Sequence, residues 1–295
     1  MGAAATNTTT SPIAEEYYAL DRRFEQRTRE LGLGDLSRYC WYHTIDLGDG
    51  LITPGVYDYR GRLEAYHFPA NLEGKSVLDV GSATGFFAFE FEKRGARVVS
   101  VELPSLDHLD RFPGQTTEQL ISKILRVNPP LAPDGSAGPT RNYTTEELYF
   151  YLLEGPFRFC HTRLNSRVER CYSTIYDLSV KGLDTARFYL IFLGDILLHT
   201  LYPLRALAAV APLCKGTLVI SQGMPETPGP EPTMLYVGGE NPQEEDISWW
   251  WPNKACFIQM LKKLGFRTVE EVGRSQGVLR PSGYPFDRPV LHAKR

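Results

Sequence analysis

Four residues, Asp79, Gly81, Gly85 and Glu102, are the first in this sequence whose types and order could do chemistry. They lie in VLDVGSATGFFAFEFEKRGARVVSVEL, from Val77 to Leu103. There a short apolar run ends at a glycine turn, and a β-branched run ends at a carboxylate. A strand, a glycine turn and a helix start together let backbone come close to a ligand. A dinucleotide turn, G-x-G-x-x-G counted from Gly81, would need glycine at 83 and 86. The chain has Ala83 and Phe86, and a phenylalanine where helix and strand must pack closely disfavours a pyrophosphate. The pattern D-x-G-x-G-x-G fits better, with Asp79, Gly81 and Gly85 matched and Ala83 small at the middle place. That is the turn for S-adenosyl-L-methionine (AdoMet), which carries no phosphate and needs only room for its methionine end and amides for its carboxylate. Asp79 would help hold the ammonium, and Glu102 would grip both ribose hydroxyls. Singly, each is equally an ordinary turn or strand-end residue; their joint register carries the reading.

The chemistry of such a seat is methyl transfer, an in-line displacement at a carbon activated by positive sulfur. The protein must align a nucleophile at about 3 Å and exclude water. A hydroxyl nucleophile needs a base, for which histidine is suited near neutral pH. His199, just beyond the fourth expected strand, is the best placed; His43 and His161 are alternatives, and Asp195 could orient His199 or meet substrate. For any one of them a hydrogen-bonded structural role is equally open. Trp249, Trp250 and Trp251 precede an amphipathic helix and could stack on a planar substrate, at least one of them being core instead.

These residues need a scaffold. Strands are expected at 77–80, 97–103, 168–174, 188–193, 217–221, 267–272 and 289–293. Between the first two, Thr84 would cap a helix ended by Gly95. The alternation Phe87, Phe89, Phe91 also suits a strand, and the turn chemistry decides for helix. From Asn253 to Leu264, Phe257, Met260, Leu261 and Leu264 fall on one helical face, with Asn253 as N-cap. Strands alternating with helices predict an α/β, mostly parallel sheet covered on both faces. Ahead of it come a tail over 1–14, then an arm over 15–70 that opens with a polar helix at 15–31; the core spans 71–295. A segment at about 104–155 interrupts it with a helix near 118–127, the Pro/Gly loop NPPLAPDGSAGPT, and a helix whose Thr144 and Glu147 form a capping box. Its apolar YFYLL run reads as a lid, or else as a homodimer surface.

Composition bounds the rest. The chain has 295 residues, 42% of them hydrophobic, and a formal net charge of −3. It can bury a full core, and nothing marks it as a polyanion binder, so nucleic acid is a poor partner. Five scattered cysteines, Cys40, Cys160, Cys171, Cys214 and Cys256, without a CxxC pair, argue against a disulfide framework or a zinc site and fit a cytoplasmic location; no metal is expected. No apolar run reaches the about 18 residues of a membrane helix. The start, MGAAATNTTTSP, is not a secretory signal, although Gly2 and Thr6 match a myristoylation pattern.

Several stretches carry a resemblance: WYHTIDLGDGLITPGVYD, LEGKSVLDVGSATGFFAFEFEKRGA, LNSRVERCYSTIYDL, FLGDILLH, WWWPNKACFIQMLKKLGF and GYPFDRPVLHAKR. Together they resemble class I AdoMet-dependent methyltransferases related to the tRNA wobble-uridine carboxymethyltransferases. The resemblance implies a Rossmann-like fold with a seven-stranded sheet, and covers the chain from about residue 38 except the insertion. It implies that Asp79, Gly81, Ser82 and Gly85, with Phe86, line the methionine end, and Glu102 with Leu103 the ribose. Asp177 would receive the adenine amino group with Tyr176 against the ring, Gly194 would leave room beside the sulfonium, and Tyr42 and His43 would close over the cofactor. The carboxymethyl branch holds a carboxylated cofactor with a lysine, a tyrosine and an arginine; here only Arg288 stands in place. Ordinary AdoMet and a small-molecule acceptor, aromatic or glycosylated, are therefore expected ahead of a tRNA. Trp249, Trp250, His161 and Arg288 are the candidate acceptor contacts.

Overall fold

The computed structural model describes residues 11–127, 143–183, 187–238 and 247–295. The first ten residues, including Gly2 and Thr6, and the loop 128–140 lie outside the described residues. The first helix, α1, runs Pro12–Glu30, earlier than the arm expected from residue 15, because Ser11 caps it and Pro12 starts it.

The sheet consists of β1 (Ser76–Val80), β2 (Arg97–Glu102), β3 (Glu169–Tyr172), β4 (Phe188–Gly194), β5 (Cys214–Ser221), β8 (Thr268–Val278) and β9 (Pro285–Lys294). Its order is β3-β2-β1-β4-β5-β9-β8. The first five are mutually parallel, and β9 runs antiparallel between β5 and β8. This is the mostly parallel, Rossmann-like seven-stranded sheet that the sequence predicts. A separate pair, β6 (Met234–Tyr236) and β7 (Trp250–Pro252), was not legible beforehand.

Side chains alternate across the sheet as strand geometry requires. Val77, Val98, Leu190, Phe192, Val219 and Val290 join the core on one face, with α1, the arm, α2 (Phe86–Lys93) and α5 (Gly155–Arg163). Leu78, Val99, Ile191, Leu193, Ile220 and Leu291 join the core on the other, with α6 (Pro203–Val210) and α7 (Lys254–Lys263). Asn253 caps α7, its Oδ1 accepting from the Cys256 amide at 2.8 Å. Thr84 does not cap α2; its hydroxyl accepts from the His43 amide instead, at 3.3 Å, tying the arm to the turn.

Between β2 and β5 the chain order steps away from β1 in opposite directions, β2 to one side and β4 to the other. The crevice at that reversal, beyond the strands' carboxyl ends, is where such sheets bind ligands. The inserted segment stands beside it. It contains α3 (Thr117–Val127), then α4 (Thr145–Tyr149), which continues through a π-helical turn at Phe150–Glu154 into α5. The Thr144–Glu147 capping box forms. Leu106, Leu120, Ile124, Leu148, Tyr149 and Leu152 make a small core of the segment's own. Tyr149 donates its hydroxyl to the Leu103 carbonyl at 2.6 Å, anchoring that core to the end of β2.

Candidate active site

Two adjoining cavities open at the carboxyl ends of β1, β2 and β4. The larger encompasses about 1210 Å³, part of it open to solvent. The smaller, about 470 Å³, shares Gly81, Glu102, Leu103, Leu109, Ile196 and His199 with it.

The turn after β1 has the conformation its glycines permit. Gly81 has φ +71°, and a Cβ there would lie 2.7 Å from Ile196 Cδ1. Gly85 has φ +91°, and its Cβ would meet the rings of Phe89 and Phe157 at 2.8 Å. Both positions therefore exclude side chains by backbone sign and by space. Gly81 serves the cavity wall; Gly85 and Phe86 line neither cavity and serve the packing of α2 and α5 instead.

Asp79 is 2% exposed and lines the larger cavity, and its Oδ2 has no hydrogen-bond partner. Burial pushes its carboxyl up to about 7, Arg170 pulling it down and Glu102 adding to the rise. A buried, unpartnered carboxylate oxygen on a cavity wall costs stability unless a ligand cation meets it. It fits the ammonium of AdoMet. Glu102, also buried, accepts from the Ala83 amide at 2.9 Å and the Leu103 amide at 3.0 Å. A carboxylate has about four acceptor sites, so it retains capacity for two ribose hydroxyls. Ser82 lines the cavity, but its hydroxyl is engaged by Ser100 at 2.5 Å and by Arg170 at 2.6 Å.

The smaller cavity is flanked by Ile175 and Tyr176, as the adenine reading requires. Asp177 is not there: it is exposed and accepts from the Thr174 hydroxyl at 2.5 Å, the local cap that was its alternative role. Besides Glu102, the carboxylate lining this cavity is Asp110, from the insertion; it accepts from the Tyr176 hydroxyl and from the Leu201 amide at 2.6 Å.

His199 lines both cavities. Its Nδ1 lies 3.1 Å from the carbonyl of Ile247. A carbonyl only accepts, so Nδ1 carries the hydrogen and the Nε2 lone pair is left for a substrate proton. The Trp segment builds this geometry. The Trp249 amide donates to Leu198 at 2.8 Å, and Trp250 Nε1 to Leu201 at 3.1 Å, so the loop after β4 is clamped on both sides of His199. Trp249, 4% exposed, meets Phe112 edge-on, and Trp250 packs against Tyr236. Neither lines a cavity, so they hold the histidine loop and do not stack on substrate. His161 also lies outside the cavities, packed on Phe157 and bonded through Nε2 to the Val168 carbonyl at 3.0 Å.

Tyr42, His43, Gly194, Asp195 and Arg288 do line the larger cavity. His43 is buried among aromatic rings, its Nδ1 3.0 Å from the Thr84 hydroxyl. Burial depresses it to about 3, so it is neutral and a weak base at neutral pH. Asp195 is bonded to Arg288, not to His199. Burial raises the Asp195 carboxyl, against the pull of Arg288. Arg288 lies over the rings of Phe286 and Tyr57, 4.5 and 5.5 Å from their centroids. The remaining wall is apolar and comes largely from the insertion: Leu106, Ile124, Leu152 and Leu153. Leu152 and Leu153 belong to the YFYLL run that the sequence reads as a lid; Leu106, Ile124, Arg170 and Asp110 were given no role, because nothing in their spacing points to the cavity.

Among the described residues no His, Cys, Asp and Glu group could hold a metal, and no helix is long and apolar enough to cross a membrane. No family model matches the chain, and no curated protein matches its sequence. Solved structures do show likeness. Magnesium protoporphyrin IX methyltransferase from Synechocystis PCC 6803, with bound S-adenosylmethionine, is 13% identical over 76% of this chain and 72% of its own, TM-score 0.45. The N-terminal domain of EvdMO1, with S-adenosylhomocysteine and D-fucose, is 15% identical over 93% and 97%, TM-score 0.49. The 1,6-didemethyltoxoflavin-N1-methyltransferase of Burkholderia thailandensis is 14% identical over 100% and 98%, TM-score 0.45.

Proposed function

We propose that this chain is an AdoMet-dependent methyltransferase acting on an O or N atom of a small molecule. The single observation that carries the reading is the unpartnered oxygen of buried Asp79 on the cavity wall, with Glu102 at the next strand end. Asp79 would hold the ammonium, Glu102 the ribose, and Ile175 and Tyr176 the adenine face. When bound, the cofactor supplies a methyl group on positive sulfur. The chain's own residues do the rest. Gly194 leaves room beside the sulfonium, the apolar insertion excludes water, and His199 Nε2 takes the acceptor's proton. The inserted helices place their apolar faces on each other and on the cavity, which supports a roof over the site rather than a homodimer surface.

The tRNA carboxymethyl alternative loses ground at Arg288. That guanidinium is already paired with half-buried Asp195, so a carboxylated cofactor would have to displace this ion pair. Calorimetry with S-adenosylhomocysteine (SAH) tests the core of the proposal; one-to-one binding is expected, and no heat would overturn it. Incubation of the protein and a cell extract with methyl-labelled AdoMet then separates the acceptors. Label in the small-molecule fraction supports this reading, and label in the RNA fraction supports the alternative.

A further inference from the structure

Arg170, within the stretch LNSRVERCYSTIYDL, was given no role by the sequence and lines neither cavity, yet its side chain, 8% exposed, makes a dense set of polar contacts beside the site. From β3 its Nη1 donates to Ser82 Oγ at 2.6 Å and to Ser100 Oγ at 2.9 Å, and its Nη2 to the Ala83 carbonyl at 3.2 Å. Nη2 also lies 3.9 Å from Glu102 Oε2, and Nε 4.0 Å from Glu154 Oε2 in the π-helical turn. The guanidinium carbon sits 3.9 Å over the Phe157 ring. One planar cation thus joins four elements: the turn after β1, the end of β2, β3 and the inserted helices.

The turn needs such a hold. Ala83 has φ +48°, a left-handed conformation that an alanine adopts only when its surroundings impose it. Its amide is held by Glu102 and its carbonyl by Arg170. Without the cation, two buried carboxylates, Asp79 and Glu102, would face one another uncompensated. We propose that Arg170 is the positioning residue of the cofactor seat, fixing Ser82, Ala83 and Glu102 in place. Its positive charge also pulls the Asp79 carboxyl down. A lysine would not substitute, because a point charge cannot make the forked contacts to two hydroxyls and a carbonyl. The inference rests on the AdoMet reading of the seat.

The test compares wild type, Arg170→Lys and Arg170→Met by SAH calorimetry from pH 5.5 to 7.5, with thermal melts alongside. The groups that bear on Asp79 are Glu102 from β2 and Arg170 from β3. His43, Asp195, His199 and Arg288 line the same cavity. Removing the cation should weaken SAH by about tenfold or more at pH 7.5. It should also move the midpoint of the affinity profile upward, so that affinity still climbs steeply up to pH 7.5, where wild type has begun to level off. Arg170→Lys should recover the midpoint but not the affinity, a split that simple loss of packing would not produce. Folded variants that bind like wild type, with an unmoved midpoint, overturn this inference while leaving the cofactor reading intact. So would two variants that both fail to fold, since the role would then be structural. Absence of SAH binding to wild type overturns both readings.

Discussion

Cofactor affinity should depend on pH through one carboxyl group. In the free protein burial pushes Asp79 up to about 7, so below that pH it holds a proton. Its proposed partner is an ammonium, which binds the carboxylate and repels nothing but gains little from the neutral acid. Binding therefore requires loss of the proton, and the apparent Kd is the intrinsic value multiplied by 1 + 10^(pKa − pH). The factor is about 2 at pH 7, about 11 at pH 6 and about 30 at pH 5.5, each full unit below the pKa costing about 1.4 kcal/mol. Calorimetry with SAH in buffers of different ionisation enthalpy reads both the affinity and the proton count, close to one proton released per SAH at pH 5.5 and about half of one at pH 7.

Two comparisons isolate the group. Asp79→Asn should flatten the profile and weaken binding at pH 7.5 by about 30-fold or more, the cost of removing one partner from a buried charge pair. His199→Gln should leave the profile as it is, which removes the cavity's other histidine near the acceptor from consideration; His43, depressed to about 3, does not titrate in this range. The ligand-free protein carries a further sign. A carboxyl whose folded pKa is raised stabilises the fold below the ordinary carboxylate range, and that stability is lost as pH rises from about 4 through 7. Its melting temperature should fall over this interval, and SAH should reverse the fall. A wild-type affinity flat between pH 5.5 and 7.5, in folded protein, would refute the reasoning at its root.

Two other outcomes follow from the site. His199→Gln should lower methyl transfer to the labelled acceptor by about 10²–10⁴-fold, the usual contribution of a positioned base, with SAH affinity unchanged in the same calorimetry. Arg288→Met leaves Asp195 half-buried without its partner and should cost about 1–3 kcal/mol in denaturant unfolding; the Arg288→Met, Asp195→Asn double variant should recover part of that loss, and a double cost equal to the sum of the two single costs would mean the pair is not coupled.

The sheet was legible because its strands alternate cleanly between two cores, and helix ends were legible where a side chain does the capping. Asn253 and the Thr144–Glu147 box both behave as their positions predict. The helix α2 was hard to read for a physical reason. Phe86, Phe87, Ala88, Phe89 and Phe91 are all buried, and its polar residues, Glu90, Glu92 and Lys93, fall only in its second half, so too little polar face is left to reveal its period. Thr84 misled because a hydroxyl ahead of a helix can hold any nearby donor, and here His43 of the arm comes closer than the helix amides. The tryptophan triplet misled similarly: aromatic rings at a sheet's carboxyl edge serve a loop as readily as a ligand.

The charges around the cavities could not be read from spacing, because their partners are joined only by the fold. Arg170 lies 70 and 88 positions from the serines it binds, and Arg288 93 positions from Asp195. In sequence Arg170 carries no role and Arg288 is a candidate acceptor contact; in the fold both are spent on protein partners. Among the described residues, the larger cavity's walls then keep Asp79 and Glu102 for a ligand and no uncommitted arginine or lysine. A wall of that sign favours a ligand carrying positive charge on its amine and its sulfur. The same sign opposes an extra carboxylate on the cofactor. It also favours the sulfonium reactant over the uncharged thioether left after transfer, so that loss of the methyl group weakens the hold on the spent nucleoside and promotes its exchange.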